Sequence, residues 1–253
     1  VLEKIGFNDF VALDLETTGL DNSKDEIIEI SAIRFISGKP SDEFTTLIKP
    51  SISIPKKITD LTGINDSLVS GAPSINEKLD DLFSFINDSL IIAHNAQFDL
   101  DFLDICAHKN SKQMKIKGVC DTLLLSRSFL FFLDKFNLEY LSNLFHLEHK
   151  NAHRARSDAL NSGKIFIELV KQIVSMPDQI IDDIDKICSG RSIFNSYLYS
   201  NIAMAKKDNL DIKFDSVLKF IPNKNVLINA KGSNDDFSED IKYWFKGDGK
   251  ISK

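Results

Sequence analysis

Apolar positions in the first part of the chain fall in short runs or alternate with polar ones, and helical spacing appears only later. Residues 10–15 (FVALDL) are apolar and rich in strand formers. Residues 26–36 (EIIEISAIRFI) mix apolar and polar positions in strand fashion, and residues 43–49 offer a third short strand before Pro50. Three consecutive strands predict an antiparallel meander. Residues 50–73 are rich in Pro, Ser, Thr and Gly, with one helical turn near residues 55–61. Ser74 with Glu77 forms a capping-box signature ahead of Ile75, Leu79, Leu82, Phe83 and Ile86, whose spacing is that of one helix face.

The pattern continues as a short buried strand at residues 90–93, a helix at 98–109 and a strand at 118–120 that leads into a helix through Phe132. Asn137 can cap a further helix through Phe145, and a long helix runs over residues 155–174. The order βββαβαβαα predicts an α/β fold, a mixed sheet flanked by helices. After Met176 and Pro177 the texture changes: Asp, Asn, Lys and Ile dominate, helical periodicity persists to about Ala205, and a β-like stretch follows at 225–230. There is no internal repeat. The expected organisation is a domain over residues 1–175 and a helical linker or partial domain over 176–253. A start at Val1 and an end at Lys253 with no closing element point to a piece of a longer chain.

With 43% hydrophobic and 27% charged residues, the chain has the composition of a globular protein and not of a disordered or fibrous one. No run reaches the roughly 18 apolar residues of a membrane span, and no basic, apolar leader opens the chain. Cys106, Cys120 and Cys188 form no CxxC pair, so no disulfide framework or thiolate zinc site is indicated, and a cytoplasmic location is expected. Acids and bases balance after residue 175, so the whole net charge of −6 lies before it. That excludes a binder that relies on a basic footprint. It leaves open an enzyme whose carboxylates hold metal ions that meet phosphate.

Three blocks carry candidate chemistry. Asp14 and Glu16, two apart on the first strand, share one face of the sheet. They are either a solvated strand end or, on a buried central strand, a pair that needs a cation. Thr17-Thr18-Gly19 follows, a turn whose glycine allows close approach of a backbone or ligand. Asp99 falls in the first turn of the helix after residues 90–93, where the helix dipole alone can account for it, or where it can converge on the first pair. His153 and Asp158 on one continuous helix would point about 140° apart, so they share a site only if His153 precedes the helix. Otherwise they are an exposed His beside a capping carboxylate. His146, His149 and His153 have a spacing that can hold zinc, but their place at a helix end has a simpler dipole explanation. Phe98 is either a ring that stacks on a terminal base or a packing residue, and Trp244 and Phe245 read as packing.

In their order and spacing, DLETTGL at 14–20, HNAQFDLDFL at 94–103 and HRARSDA at 153–159 resemble the three motifs of the DEDDh exonucleases, the family that includes the proofreading epsilon subunit of bacterial DNA polymerase III. Supporting segments are LTGI at 61–64, CDTLLLSR at 120–127 and LEYL at 138–141. The resemblance covers residues 7–175 and implies a ribonuclease H-like exonuclease fold with a C-terminal extension. It implies that Asp14, Glu16, Asp99 and Asp158 hold two Mg²⁺ or Mn²⁺ ions and that His153 is the general base. Thr17, Thr18 and Gly19 would hold the 3′-terminal nucleotide, with Ile64 and Phe98 lining its pocket. The implied activity is 3′-5′ removal of nucleoside 5′-monophosphates from single-stranded 3′ ends, with DNA favoured. Two alternatives stand beside it: an RNA-directed exoribonuclease, and a non-catalytic nucleic-acid or partner-binding module. The tail, ending in YWFKGDGKISK at 243–253, is similar to the segment that joins an exonuclease to a helicase region in DinG-type proteins. It lacks a phosphate-binding GxxxxGK[ST] loop, so the chain itself is not expected to hydrolyse ATP.

Overall fold

In the computed structural model, residues 1–148, 153–189, 191 and 193–210 are described. Strands β1 (Asp9–Thr17), β2 (Ile27–Ile36), β3 (Lys39–Leu47), β4 (Ser89–Ala93) and β5 (Ile116–Asp121) form one sheet in the order β3-β2-β1-β4-β5. β1, β2 and β3 are the expected antiparallel meander, whereas β4 runs parallel to β1 and β5 parallel to β4. The two-residue turn between β2 and β3 uses Ser37 and Gly38, both with positive φ, the geometry that matches the twist of a tight hairpin. β3 closes the edge of the sheet with mostly polar, exposed side chains, which discourages edge pairing.

Alternation along β1 decides what lies on each face. Val11, Leu13 and Leu15 enter a core with Leu82, Ile86, Phe102 and Leu103. These come from helices α3 (Ile75–Ile86) and α4 (Ala96–Lys109), which follow α1 (Lys56–Thr62) and the short α2 (Asp66–Val69). α3 carries the expected capping box at Ser74 and Glu77. The opposite residues Phe10 and Ala12 face the long helix α7 (Ala155–Val174): the Phe10 ring lies 5.3 Å from that of Phe166. A Cβ at Gly163 would meet the Phe35 ring and Ala12, so glycine lets α7 sit close on β1 and β2.

Between β5 and α7 lie α5 (Thr122–Phe129) and α6 (Leu138–Leu144). Beyond α7, helices α8 (Asp178–Cys188) and α9 (Ser196–Lys207) pack on the same body. The Asn195 side chain accepts from the Asp121 backbone N–H at 2.8 Å, and Asn201 donates to the Ile5 carbonyl at 3.0 Å. Packing therefore continues across the expected division after residue 175. The anticipated strand at 225–230 and the segment 243–253 lie outside the described residues. The three cysteines are free, and among the described residues no helix is long and apolar enough to cross a membrane.

Candidate active site

The alternation that buries Phe10 and Ala12 under α7 carries Asp14 and Glu16 to the same face, beside the N-terminal turn of that helix. Asp158, in that first turn, completes a cluster: Asp14, Glu16 and Asp158 each offer a carboxylate oxygen, all within 4.8 Å of one another. Asp99 arrives from the other side. β1 pairs with β4 only at Val11 and Ala12, so the Leu15 N–H further along has no strand partner there. The Asp99 carboxylate accepts that N–H at 3.0 Å, which fixes a fourth acid, itself buried, against β1.

Packing carboxylates this way strains their charged forms. Burial pushes Asp14 well above the usual carboxylate range, reinforced by Asp99, Asp158, Glu16 and Glu29. Glu16 is pushed up to about 8 by burial and by Asp158 and Glu29, against a lowering pull from Arg154. Asp99 is raised by burial, partly offset by the Leu15 N–H. Hard oxygen donors crowded at this spacing fit a divalent cation such as Mg²⁺ or Mn²⁺, whose charge would offset the repulsion. His146 and His153 are not among these donors, and His149 lies outside the described residues, so the zinc pattern gains no support.

His153 precedes α7, whose N-cap is Arg154. The imidazole-bearing residue is exposed, its backbone is left-handed at φ 61°, and its N–H donates to Asp158 at 3.2 Å. Thr17 and Thr18 are buried at the end of β1 and Leu20 is exposed. The group that approaches Gly19 closely is the Asp25 carboxylate, which a Cβ at position 19 would overlap. Asp25 accepts from the Thr18 hydroxyl at 3.1 Å and from the Asp21 N–H at 2.9 Å, so it shapes this turn. Phe98 is half-buried against Phe102, with ring centroids 5.0 Å apart. Ile64 is wholly buried with Ile28, Ile54 and Val69.

Besides Asp25, three charged groups near the site were not singled out from the sequence. Glu29, the cross-strand partner of Glu16 on β2, is buried and accepts from Arg154 Nε and Nη2 and from the Ala155 N–H. Its signal is a glutamate within the stretch 27–33 of β2, which is buried without a break, a position that requires a cation and donors. Arg154 is that cation. Asp121 at the end of β5 accepts from the N–H groups of Asn95, Ala96, Leu123 and Leu124. It thereby ties the start of α4, which carries Asp99, to the start of α5.

An exonuclease family profile, RNase_T, matches residues 11–166. The epsilon subunit of DNA polymerase III from Aquifex aeolicus is 33% identical over 165 residues, 65% of this chain and 81% of that protein. The PolC-type DNA polymerase III of Caldanaerobacter subterraneus is 36% identical over 185 residues, 73% of this chain. The chain spans only 13% of that relative's length. Among solved structures, the zinc-bound E. coli exonuclease I complex with single-stranded DNA aligns with TM-score 0.60 and 20% identity, covering 70% of this chain and 43% of that one. Exonuclease X with 5′-overhanging duplex DNA aligns with TM-score 0.51 and 22% identity, over 69% of this chain and 97% of that one. The mixed five-stranded sheet with flanking helices is thus the ribonuclease H-like exonuclease fold.

Proposed function

This chain belongs to the exonuclease family RNase_T, and from that membership we propose that it removes nucleoside 5′-monophosphates from the 3′ end of single-stranded DNA. The observation that carries the reading is the convergence of Asp14, Glu16 and Asp158 within 4.8 Å, with Asp99 held against the same strand. Asp14, Glu16, Asp99 and Asp158 would hold two Mg²⁺ or Mn²⁺ ions. When bound, these supply Lewis acidity at the phosphate and make a coordinated water more acidic.

His153, exposed at the mouth of the cluster's helix, accepts a proton from the attacking water. The water oxygen bonds to phosphorus as the bond to the 3′ oxygen of the preceding nucleotide breaks, and that oxygen takes up a proton. The products are a nucleoside 5′-monophosphate and a strand one residue shorter with a free 3′ hydroxyl. Thr17, Thr18 and Gly19, braced by Asp25, hold the terminal nucleotide beside Phe98.

Matched 5′-labelled DNA and RNA strands, each with a free or blocked 3′ hydroxyl, test this with Mn²⁺. The expected result is a descending ladder on unblocked DNA and none on blocked strands. Faster digestion of RNA would move the substrate class, since sugar choice rests on contacts to the 2′ hydroxyl. Cleavage of a circular single strand would make the chain an endonuclease.

A further inference from the structure

Resting on that reading, we propose that Glu29 and Arg154 form a clamp that positions His153, although neither touches substrate or metal in the proposed mechanism. Glu29 lies on β2, opposite Glu16, and 125 residues in sequence from Arg154. Its carboxylate accepts from Arg154 Nε at 3.1 Å, Arg154 Nη2 at 2.6 Å and the Ala155 N–H at 2.9 Å. The guanidinium fork is fixed in two places, and a rigid fork of this kind sets orientation as well as attraction. The third bond satisfies the first orphan N–H of α7 with an anion from another element, so Glu29 also caps the helix that carries Asp158.

His153 directly precedes this clamp. Its φ of 61° is unfavourable for a residue with a side chain, and such a conformation persists only where the surroundings hold it. The next two residues are tied to Glu29, and the His153 N–H is tied to Asp158. β2 thereby fixes the chain immediately after His153, while Asp158 of α7 holds the His153 N–H. Arg154 also lines a cleft of about 370 Å³ with Thr45, Arg156, Ser157 and Lys164. The cleft gives the guanidinium room to swing away once Glu29 no longer holds it.

The clamp is distinguishable from a purely electrostatic role because its two partners have opposite charge. Glu29→Gln removes a negative charge near Asp14 and Glu16, and Arg154→Met removes a positive one. If charge were their contribution, the two variants would shift Mn²⁺ affinity in opposite directions. If positioning is, both lower kcat by about 10- to 100-fold at saturating Mn²⁺, as small misplacements of a reacting group do, while KM stays close to wild type. The double variant is then no worse than either single one, and Glu29→Gln has no further effect on kcat in a His153→Ala background.

The test is that set of cycles, run with amide hydrogen exchange of the peptide covering residues 155–158. Faster exchange there in Glu29→Gln, with β1 unchanged, together with non-additive kcat losses, is the expected result. Unchanged exchange, opposite shifts in metal affinity, or full additivity with His153→Ala would each overturn the clamp. Faster exchange in a chain whose wild type shows no exonuclease activity would sink the function proposed above, and the positioning role with it, while leaving the clamp's geometry standing.

Discussion

If buried carboxylates are crowded for a cation, the metal-free chain must lose stability as pH rises. Glu16 carries the readable part of this effect, being lifted from 4.5 to about 8. A carboxyl raised in the folded state holds a proton there that the unfolded chain has already released. Stability is therefore full below the unfolded value and falls as pH climbs toward the folded one. The full interval corresponds to about 5 kcal/mol at 1.36 kcal/mol per pKa unit. Glu16 is only half-buried, so solvent screening brings this to roughly 2 to 3 kcal/mol. Asp14 acts in the same direction. For a chain of this size, about 2 to 4 °C per kcal/mol gives a fall in Tm of roughly 4 to 12 °C between about pH 5 and pH 9. The assay is thermal unfolding in EDTA across that range for wild type and Glu16→Gln, repeated with excess Mn²⁺. The wild-type fall should shrink in Glu16→Gln and be largely offset by metal. An equal slope in the variant, or a wild-type Tm that rises with pH, would refute the crowding argument.

His153→Ala should lower kcat by about 10²- to 10⁴-fold and leave Mn²⁺ affinity nearly intact. Collapse of metal affinity alongside kcat would make His153 a ligand instead. Gly19→Ala forces a Cβ onto the Asp25 carboxylate, so strand binding should weaken by about tenfold, or about 1.4 kcal/mol, with kcat changed less; an unaltered KM counts against the turn as a nucleotide seat. Asp121→Ala strands the N–H groups of Asn95, Ala96, Leu123 and Leu124 and should cost about 3 kcal/mol in chemical denaturation. A loss below about 1 kcal/mol would show that other acceptors replace it.

Local signals in the chain carried most of the fold. The Ser74 and Glu77 capping box, the meander and the bounds of the long helix at Ala155–Val174 follow from spacing and turn chemistry, which act over a few residues. The short helix Asp66–Val69 had too few positions to show a period. The acids Asp14, Glu16, Asp99 and Asp158 were visible because each lies at an element end with a motif around it. Glu29, Asp25 and Asp121 were not, because their partners are set by tertiary packing. Glu29 reads as one polar position in a strand until α7 brings Arg154 to it, and Asp25 as a loop acid until it meets Gly19. The motif at 61–64 likewise gave no sign that Ile64 packs against Ile28, Ile54 and Val69.

The central claim is that the carboxylate cluster cuts DNA from its 3′ end by means of bound metal. Its most direct test is turnover of a 5′-labelled DNA single strand by wild type and Asp14→Asn purified in parallel, titrated with Mn²⁺ from zero. Asn keeps the side chain's size and removes its charge, so the fold should survive. The account predicts Mn²⁺-dependent shortening from the 3′ end by wild type and none by the variant at any Mn²⁺ concentration. Equal digestion by both proteins, or wild-type digestion undiminished in EDTA, would contradict it.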